Sequence, residues 1–310
     1  MKMKVVIVGG VAGGATAAAR LRRLDEQMEI IMVERSGYIS YANCGLPYYI
    51  GGSIEDEKAL TLQTPESFYH RFRIDVRTHQ EVTKINALEK TVTIQNLENH
   101  TTYVESYDKL ILSPGAKAIL PPIDGVTHDN VFTLRTVEDT FKIHDYIQNH
   151  EVKKAVVVGA GFIGLEMAEN LKEKGMDVTV VQLLDQIMTP LDKDMAAIVQ
   201  NYLKHQGVEL LLETSLTKII KKDEDTWAVL DNQKEIACDM ILMAVGVQPD
   251  SHLAKTAGLA LGIKGAIKVN AHMQTNIEDI YAVGDAVEVK HFITQKDTLI
   301  SLAGPANKQG

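Results

Sequence analysis

The sequence predicts an α/β chain built from two Rossmann-like dinucleotide-binding domains, and three observations carry that prediction. A strand, a glycine-rich turn, a helix and a second strand follow one another at the start of the chain. The same order returns from Ala155, this time with a complete G-x-G-x-x-G turn. The chain has 310 residues, enough for two cores at a prior of about 150 residues per domain.

In the first unit, Lys4 to Val8 is a short apolar β run that ends in Gly9-Gly10-Val11-Ala12-Gly13-Gly14. Ala15 to Leu24 reads as helix, and Glu29 to Val33 as the next strand, closing at Glu34. Glycines let a backbone approach a pyrophosphate, the helix N-terminus faces its charge, and an acid at Glu34 accepts from a ribose hydroxyl. One position departs from the pattern, because Val11 stands where the middle glycine belongs. A tight β-α turn without a ligand is the plainer reading of any glycine-rich turn. Strand, helix and acid together favour nucleotide binding.

Pro65 to Phe72 reads as a short helix, and Ile74 to Thr93 carries β runs with turns. Lys109 to Leu112 is a strand closed by Ser113-Pro114-Gly115-Ala116. Pro121 and Pro122 mark a linker, and Thr136 to Asn149 a connecting helix.

In the second unit, the strand Ala155 to Val158 leads into Gly159-Ala160-Gly161-Phe162-Ile163-Gly164. The helix from Ile163 to Lys174 sets Ile163, Met167 and Leu171 on one face, and Gly175 serves as its C-cap. Val178 to Val181 is the next strand, and Gln182 stands where an acid is expected. A neutral amide bonds a ribose hydroxyl without repelling a 2′-phosphate, yet no arginine lies near to attract one. NADH and NADPH both stay open, with a lean to NADH.

Further strands are expected at Val208 to Leu212, Thr226 to Leu230 and Met240 to Val245. Lys221-Lys222-Asp223-Glu224-Asp225 reads as a hairpin tip rather than a binding patch. Gly246-Val247-Gln248-Pro249 breaks the second domain, and Ile280 to Val283 runs into a Gly284-Asp285 turn. A last helix begins near Pro305 and meets the end of the sequence at Gly310.

Composition excludes several classes. A net charge of -9 argues against a nucleic-acid surface. No uncharged stretch reaches the roughly 18 apolar residues of a membrane span. Met1-Lys2-Met3-Lys4 followed by apolar residues imitates a secretory leader, but Gly9, Gly10, Gly13 and Gly14 interrupt the run. Two cysteines, Cys44 and Cys238, make neither a disulfide framework nor a metal site, and the expected setting is the reducing cytoplasm.

Cys44 lies in Ser40-Tyr41-Ala42-Asn43-Cys44-Gly45-Leu46-Pro47-Tyr48-Tyr49. Free cysteines are often small buried apolar residues. The polar, loop-like surroundings of Cys44 favour exposure to a cofactor, whereas Cys238 before a strand reads as packing.

With these pieces in place, the chain resembles the two-dinucleotide flavoprotein disulfide reductases along essentially its whole length. Within them it resembles the single-cysteine branch of coenzyme A-disulfide reductase, NADH oxidase and NADH peroxidase. The resemblance rests on the first turn with Glu34, Ser113 to Ala116, Gly159 to Gly164 with Glu166, and Tyr281 to Ala286. The segment Ser40 to Tyr48 is its most discriminating piece, and Val11 is similar to that branch too.

The resemblance implies a glutathione-reductase-like fold. An FAD domain would comprise residues 1–117 and 273–310, and an NAD(P)H domain residues 118–272. FAD would be held by Gly9, Val11, Ala12, Gly13, Gly14, Glu34, Arg35, Asn43, Val82, Ser113, Pro114, Gly115, Arg135 and Asp285. NADH or NADPH would meet Gly159, Gly161, Phe162, Ile163, Gly164, Glu166, Gln182 and Gly246, with Phe162 as a gate near the flavin.

Cys44 would be the redox thiol, splitting coenzyme A disulfide or a related disulfide or persulfide through a mixed disulfide. Coenzyme A contacts would come from Thr16, Arg20, Arg23, Ser40, Asn43, Arg71 and Asn307. Read without the resemblance, the arginines are a solvated helix face. Two other readings stand beside this one. In the first, an NADH oxidase passes electrons to O₂ through a Cys44 sulfenic acid. In the second, a nucleotide-binding module has no turnover. Members of this branch continue into a C-terminal dimerisation domain, so the sequence reads as a fragment of a protein that forms homodimers.

Overall fold

The computed structural model describes residues 2–223 and 225–310, so Met1 of the leader-like start and Glu224 of the expected hairpin tip lie outside the described residues. Among the described residues there are eight α-helices. They are α1 Ala12–Leu24, α2 Leu46–Gly51, α3 Pro65–Phe72, α4 Val137–Asn149, α5 Phe162–Glu173, α6 Lys193–His205, α7 His252–Thr256 and α8 Ala303–Gln309. None is long and apolar enough to cross a membrane.

The chain divides into two compact units. The first comprises Met1–Tyr41, Thr61–Lys117 and Gln248–Gly310, and the second Ala42–Leu60 and Ala118–Val247.

In the first unit, five parallel strands lie in the order Ile280–Ala282, Lys109–Leu112, Lys4–Val8, Glu29–Val33 and Asp75–Arg77. The run Val5-Val6-Ile7 is apolar at every position because both faces of the sheet are covered. Val5 and Ile7 join Ala15, Ala18, Met32, Ile39, Phe68 and Ile74 on the side of α1 and α3. Val6 points the other way, into Ile31, Val33, Leu110, Leu112 and the residues Val82 and Ile94. This alternation is the period-two geometry of a strand. Val82 and Ile94 belong to an antiparallel three-stranded sheet, Gln80–Asn86, Thr91–Asn96 and Thr102–Ser106.

The second unit repeats the plan. Its parallel sheet runs Val131–Phe132, Met240–Met243, Lys154–Val158, Asp177–Val181 and Glu209–Leu211. One face packs on an antiparallel sheet of Leu216–Lys222, Asp225–Leu230 and Glu235–Cys238. Met167 and Leu171 of α5 are fully buried, as their four-residue spacing requires. Gly175 follows the helix with φ +87°, the left-handed position that ends it, while Lys174 is the C-cap itself.

In both sheets the strand that precedes the glycine turn has the next strand of its sheet on one side and, on the other, a strand that returns from much later in the chain. That is the switch point at which open α/β sheets take ligands. The chief departure from the sequence reading lies around Cys44. The segment is not a loop: Asn43–Gly45 forms a turn of 3₁₀ helix that runs directly into α2.

Candidate functional site

In the first unit the glycine turn is dictated by packing. Gly9 has φ +97°, and a β-carbon there would lie 2.0 Å from the Ser113 carbonyl oxygen. A β-carbon on Gly14 would lie 1.9 Å from the Gly9 carbonyl oxygen. Only glycine satisfies both positions. Val11 is the N-cap of α1 and offers no side-chain cap, so the first N–H groups of the helix face outward. Ala12, Gly13 and Gly14 form that first turn, and Gly13 faces the Ser113 hydroxyl and Val283.

Glu34, 7% exposed, is held from both sides. Its carboxylate accepts from Gly10 N at 2.7 Å and from Ser36 N at 2.8 Å. Arg35 pairs with Asp250 at 2.8 Å. Burial would lower its guanidinium, but Asp250 and Glu34 outweigh that and push it up. Pro114 and Gly115 follow Ser113 at the end of their strand, with Gly115 at φ +71°. Asp285 sits in the Gly284–Ala286 turn, beside Gln309, whose side-chain oxygen accepts from Gly284 N at 2.7 Å. Val82 buries its side chain in the core, which leaves its backbone for any nucleotide contact.

A cavity of about 300 Å³ opens between α1 and α3. Thr16, Arg23, Ser40 and Arg71 line it, so the fold gathers four of the seven residues expected to meet substrate. Ser40 holds a left-handed backbone at φ +47° and donates its N–H to the Gly10 carbonyl at 2.8 Å. A non-glycine residue in that region stores strain of the kind found at functional sites. Arg20 is exposed and does not line the cavity. Asn307 is tied to Thr16 at 2.9 Å. Asn43 belongs to the second unit, where its amide donates to the Arg135 carbonyl at 3.2 Å. Sequence reasoning missed the apolar wall of Leu62, Phe68 and Phe72, although the four-residue spacing of the two phenylalanines was the available signal.

In the second unit, Gly159 has φ +105° and a β-carbon there would lie 2.3 Å from the Ala244 carbonyl oxygen. Gly164 packs on the Gly159 carbonyl just as Gly14 packs on Gly9. Gly161 is different, because a β-carbon there would meet nothing within 4 Å. The protein itself does not need that glycine, whereas a pyrophosphate close to the backbone does.

Phe162 is 51% exposed beside the turn, Ile163 is half-buried, and Gly246 takes φ +123°. The Gln182 oxygen accepts from Ala160 N at 3.2 Å, and its amide donates to the Gln186 carbonyl at 3.0 Å. Burial and the neighbouring Glu169 push the half-buried Glu166 carboxyl upward.

Cys44 is exposed in the 3₁₀ turn ahead of α2. Cys238 is 4% exposed, and burial pushes its thiol up to about 12. It is a packing residue, inert as a nucleophile at neutral pH.

Two glycine turns at two switch points, each backed by a buried amide-binding side chain, are joined by a match to a family pattern. Residues 3–310 match pyridine nucleotide-disulphide oxidoreductase. The chain belongs to that family. Among relatives of the oxidoreductase, a protein named NADH oxidase from Methanocaldococcus jannaschii is 42% identical over 310 residues. That match covers 99% of this chain and 68% of the relative. A coenzyme A disulfide reductase from Staphylococcus aureus is 41% identical over 289 residues, covering 93% of this chain and 64% of the relative.

The crystal structure of reduced Bacillus anthracis CoADR-RHD superposes with TM-score 0.97 at 52% identity. It covers all of this chain, which spans 55% of that protein. The chain therefore spans between about half and two thirds of the length of these three proteins. The expected family and its α/β, two-domain fold are borne out.

Proposed function

We propose that the chain carries the FAD- and nicotinamide-binding portion of a single-cysteine disulfide reductase whose substrate is coenzyme A disulfide. The observation that carries this reading is Cys44, an exposed thiol at the head of a helix with no second cysteine near it in the segment. A lone redox thiol needs a substrate that brings the second sulfur.

FAD is assigned to the first unit, where Gly9, Gly13, Gly14, Glu34, Ser113 and Asp285 form the cradle described above. The nicotinamide dinucleotide is assigned to Gly159, Gly161, Gly164 and Gln182 in the second, with NADH favoured. The same reading keeps the proposed division of the chain into an FAD domain of residues 1–117 and 273–310 and an NAD(P)H domain of residues 118–272. FAD would supply the two-electron relay between nicotinamide and sulfur.

The protein's part is as follows. The Cys44 thiolate attacks one sulfur of the disulfide, the S–S bond breaks, and one coenzyme A thiolate leaves. Two electrons and one proton then split the mixed disulfide, returning the Cys44 thiolate and releasing the second thiol. Arg23 and Arg71 in the cavity bring the cations that the phosphates of coenzyme A demand. Thr16 and Ser40 add hydroxyl donors. Unpaired cysteines suit a reducing cytoplasm, and the reading takes the whole protein to be a homodimer there.

A second reading has support in the relative named NADH oxidase: Cys44 would cycle through a sulfenic acid with O₂ as acceptor. An anaerobic NADH titration of the FAD-loaded protein with mass spectrometry of Cys44, paired with an aerobic NADH turnover assay, separates the two. Coenzyme A disulfide-linked to Cys44 and released on reduction supports the reductase. A sulfenylated Cys44 with rapid turnover on O₂ alone moves the assignment to the oxidase.

A further inference from the structure

The strongest unexplained group in the second unit is Asn170 of α5. It has no exposed surface, its amide nitrogen donates to the Glu166 carbonyl at 2.8 Å, and its oxygen has no hydrogen-bond partner among the described residues. A buried acceptor left unmet is costly, and an apolar side chain there would avoid the cost.

The nitrogen's bond to Glu166 fixes the direction of the oxygen. It points at Gly51, where a β-carbon would lie 2.1 Å from it, with the next two Asn170 atoms at 2.8 and 2.9 Å. Gly51 is therefore a glycine because of Asn170, since its φ lies outside the left-handed range.

Gly51 closes α2, the helix that begins two residues after Cys44, and Gly52 at φ +91° ends it by capping onto the Tyr48 and Tyr49 carbonyls. Asn170 lies on the helix that starts at the second glycine turn. The contact thus joins the short helix that follows the thiol's 3₁₀ turn to the helix that opens on the dinucleotide turn. On α2's other side, the Tyr49 ring meets Phe141 edge-on at 5.6 Å and His144 at 5.1 Å, both on α4.

We propose that Asn170 is a positioning residue: seated on Gly51, it holds α2 against α5 and so fixes where the Cys44 sulfur stands. This rests on the reading of Cys44 as the redox thiol. The unmet oxygen is the cost of an interlock so close that only a flat amide over a bare Cα fits it.

The test is a double-mutant cycle on the FAD-loaded full chain with Asn170→Ala, Gly51→Ala and the pair. Two readouts are taken: the rate of Cys44 alkylation by iodoacetamide at neutral pH, and kcat and KM with coenzyme A disulfide. Each single substitution should lower kcat and change the alkylation rate roughly tenfold, the scale of a small misplacement. KM for NADH should stay unchanged. The pair should lose less than the two singles combined, because Asn170→Ala removes the two nearer atoms and leaves only its own β-carbon, 2.9 Å from the new methyl.

Losses that add without rescue, or singles that leave alkylation and kcat unchanged, would overturn the proposal. If Gly51→Ala alone fails to fold, Asn170→Ala and the pair carry the same test. A Cys44→Ser variant with undiminished disulfide turnover would instead remove the underlying reading, whatever Asn170 does.

Discussion

The two glycine turns share their architecture, and the contrasts at their middle position and at the side chain behind them separate what the fold needs from what a ligand needs. Gly9 and Gly159 both take positive φ and both press on a carbonyl of the neighbouring strand's end, Ser113 in one and Ala244 in the other. Gly14 and Gly164 both pack on the preceding turn. Those four are structural requirements. The middle position is Val11 in the first turn and Gly161, with open space above it, in the second. Behind the turns, Glu34 accepts two backbone N–H groups, whereas Gln182 accepts one and donates its own amide. The first cradle is therefore anionic at its back and the second neutral.

The largest expected effect belongs to the thiol in the second unit. Cys44→Ser should reduce disulfide turnover by about a thousandfold or more, since the nucleophile is lost, while NADH still reduces the bound flavin. Stopped-flow absorbance separates the two half-reactions.

Next comes the glycine contrast. Gly9→Ala should cost about 3 kcal/mol or more, from positive φ combined with a backbone clash, and lower the melting temperature sharply. Gly161→Ala should leave stability within about 0.5 kcal/mol and act on NADH instead, raising its KM. Equal effects on stability would abolish the distinction between the two turns.

Glu34→Gln turns an amide NH₂ toward one of two backbone donors, leaving a buried N–H unmet at about 1–3 kcal/mol. Flavin titration and thermal denaturation should both register it. Gln182→Glu sets a carboxylate oxygen against the Gln186 carbonyl that now accepts from the amide, so it should also lower stability, and it should favour NADH over NADPH further by charge repulsion of the 2′-phosphate. The ratio of kcat/KM for the two nucleotides reads that directly.

The smallest effect is alkaline. Cys238 keeps its proton to about 12 in the folded chain against an ordinary 9.0. The unfolded chain therefore ionises first, and stability falls as pH rises above about 9 toward 12. By pH 10 the loss should be on the order of 1 kcal/mol. Cys238→Ala should flatten that decline relative to the parent, as measured by denaturant unfolding at several pH values.

Both glycine turns, Glu34, Gln182 and the candidate thiol were legible in the sequence because each announces itself within a few residues. The helix after Cys44 was not. Gly45, Pro47, Gly51 and Gly52 all argue for a loop locally. Yet Pro47 falls in the first turn of α2, where no N–H is needed, and Gly52 ends it, while Leu46 and Ile50 are buried. Tertiary burial outweighs the local signal.

The arginines of α1 were equally illegible as a group. Arg20, Arg22 and Arg23 lie close in sequence but point in different directions on a helix, and only Arg23 reaches the cavity.

Arg22, the neighbour of Arg23 on α1, has a different part in the fold. Its guanidinium donates to the Phe72 and Arg73 carbonyls at 2.7 and 3.0 Å, and to those of Asp25 and Glu26 at 3.3 and 2.8 Å. One side chain thereby rivets the end of α1 to the end of α3, the two helices that wall the cavity. The width of the slot is settled when the protein folds, before any ligand arrives. A ligand entering it has little ordering of the walls left to do, so the entropy of binding falls mainly on the ligand's own flexible chain. A stiffened analogue should therefore gain more affinity here than it would in a slot with loose walls.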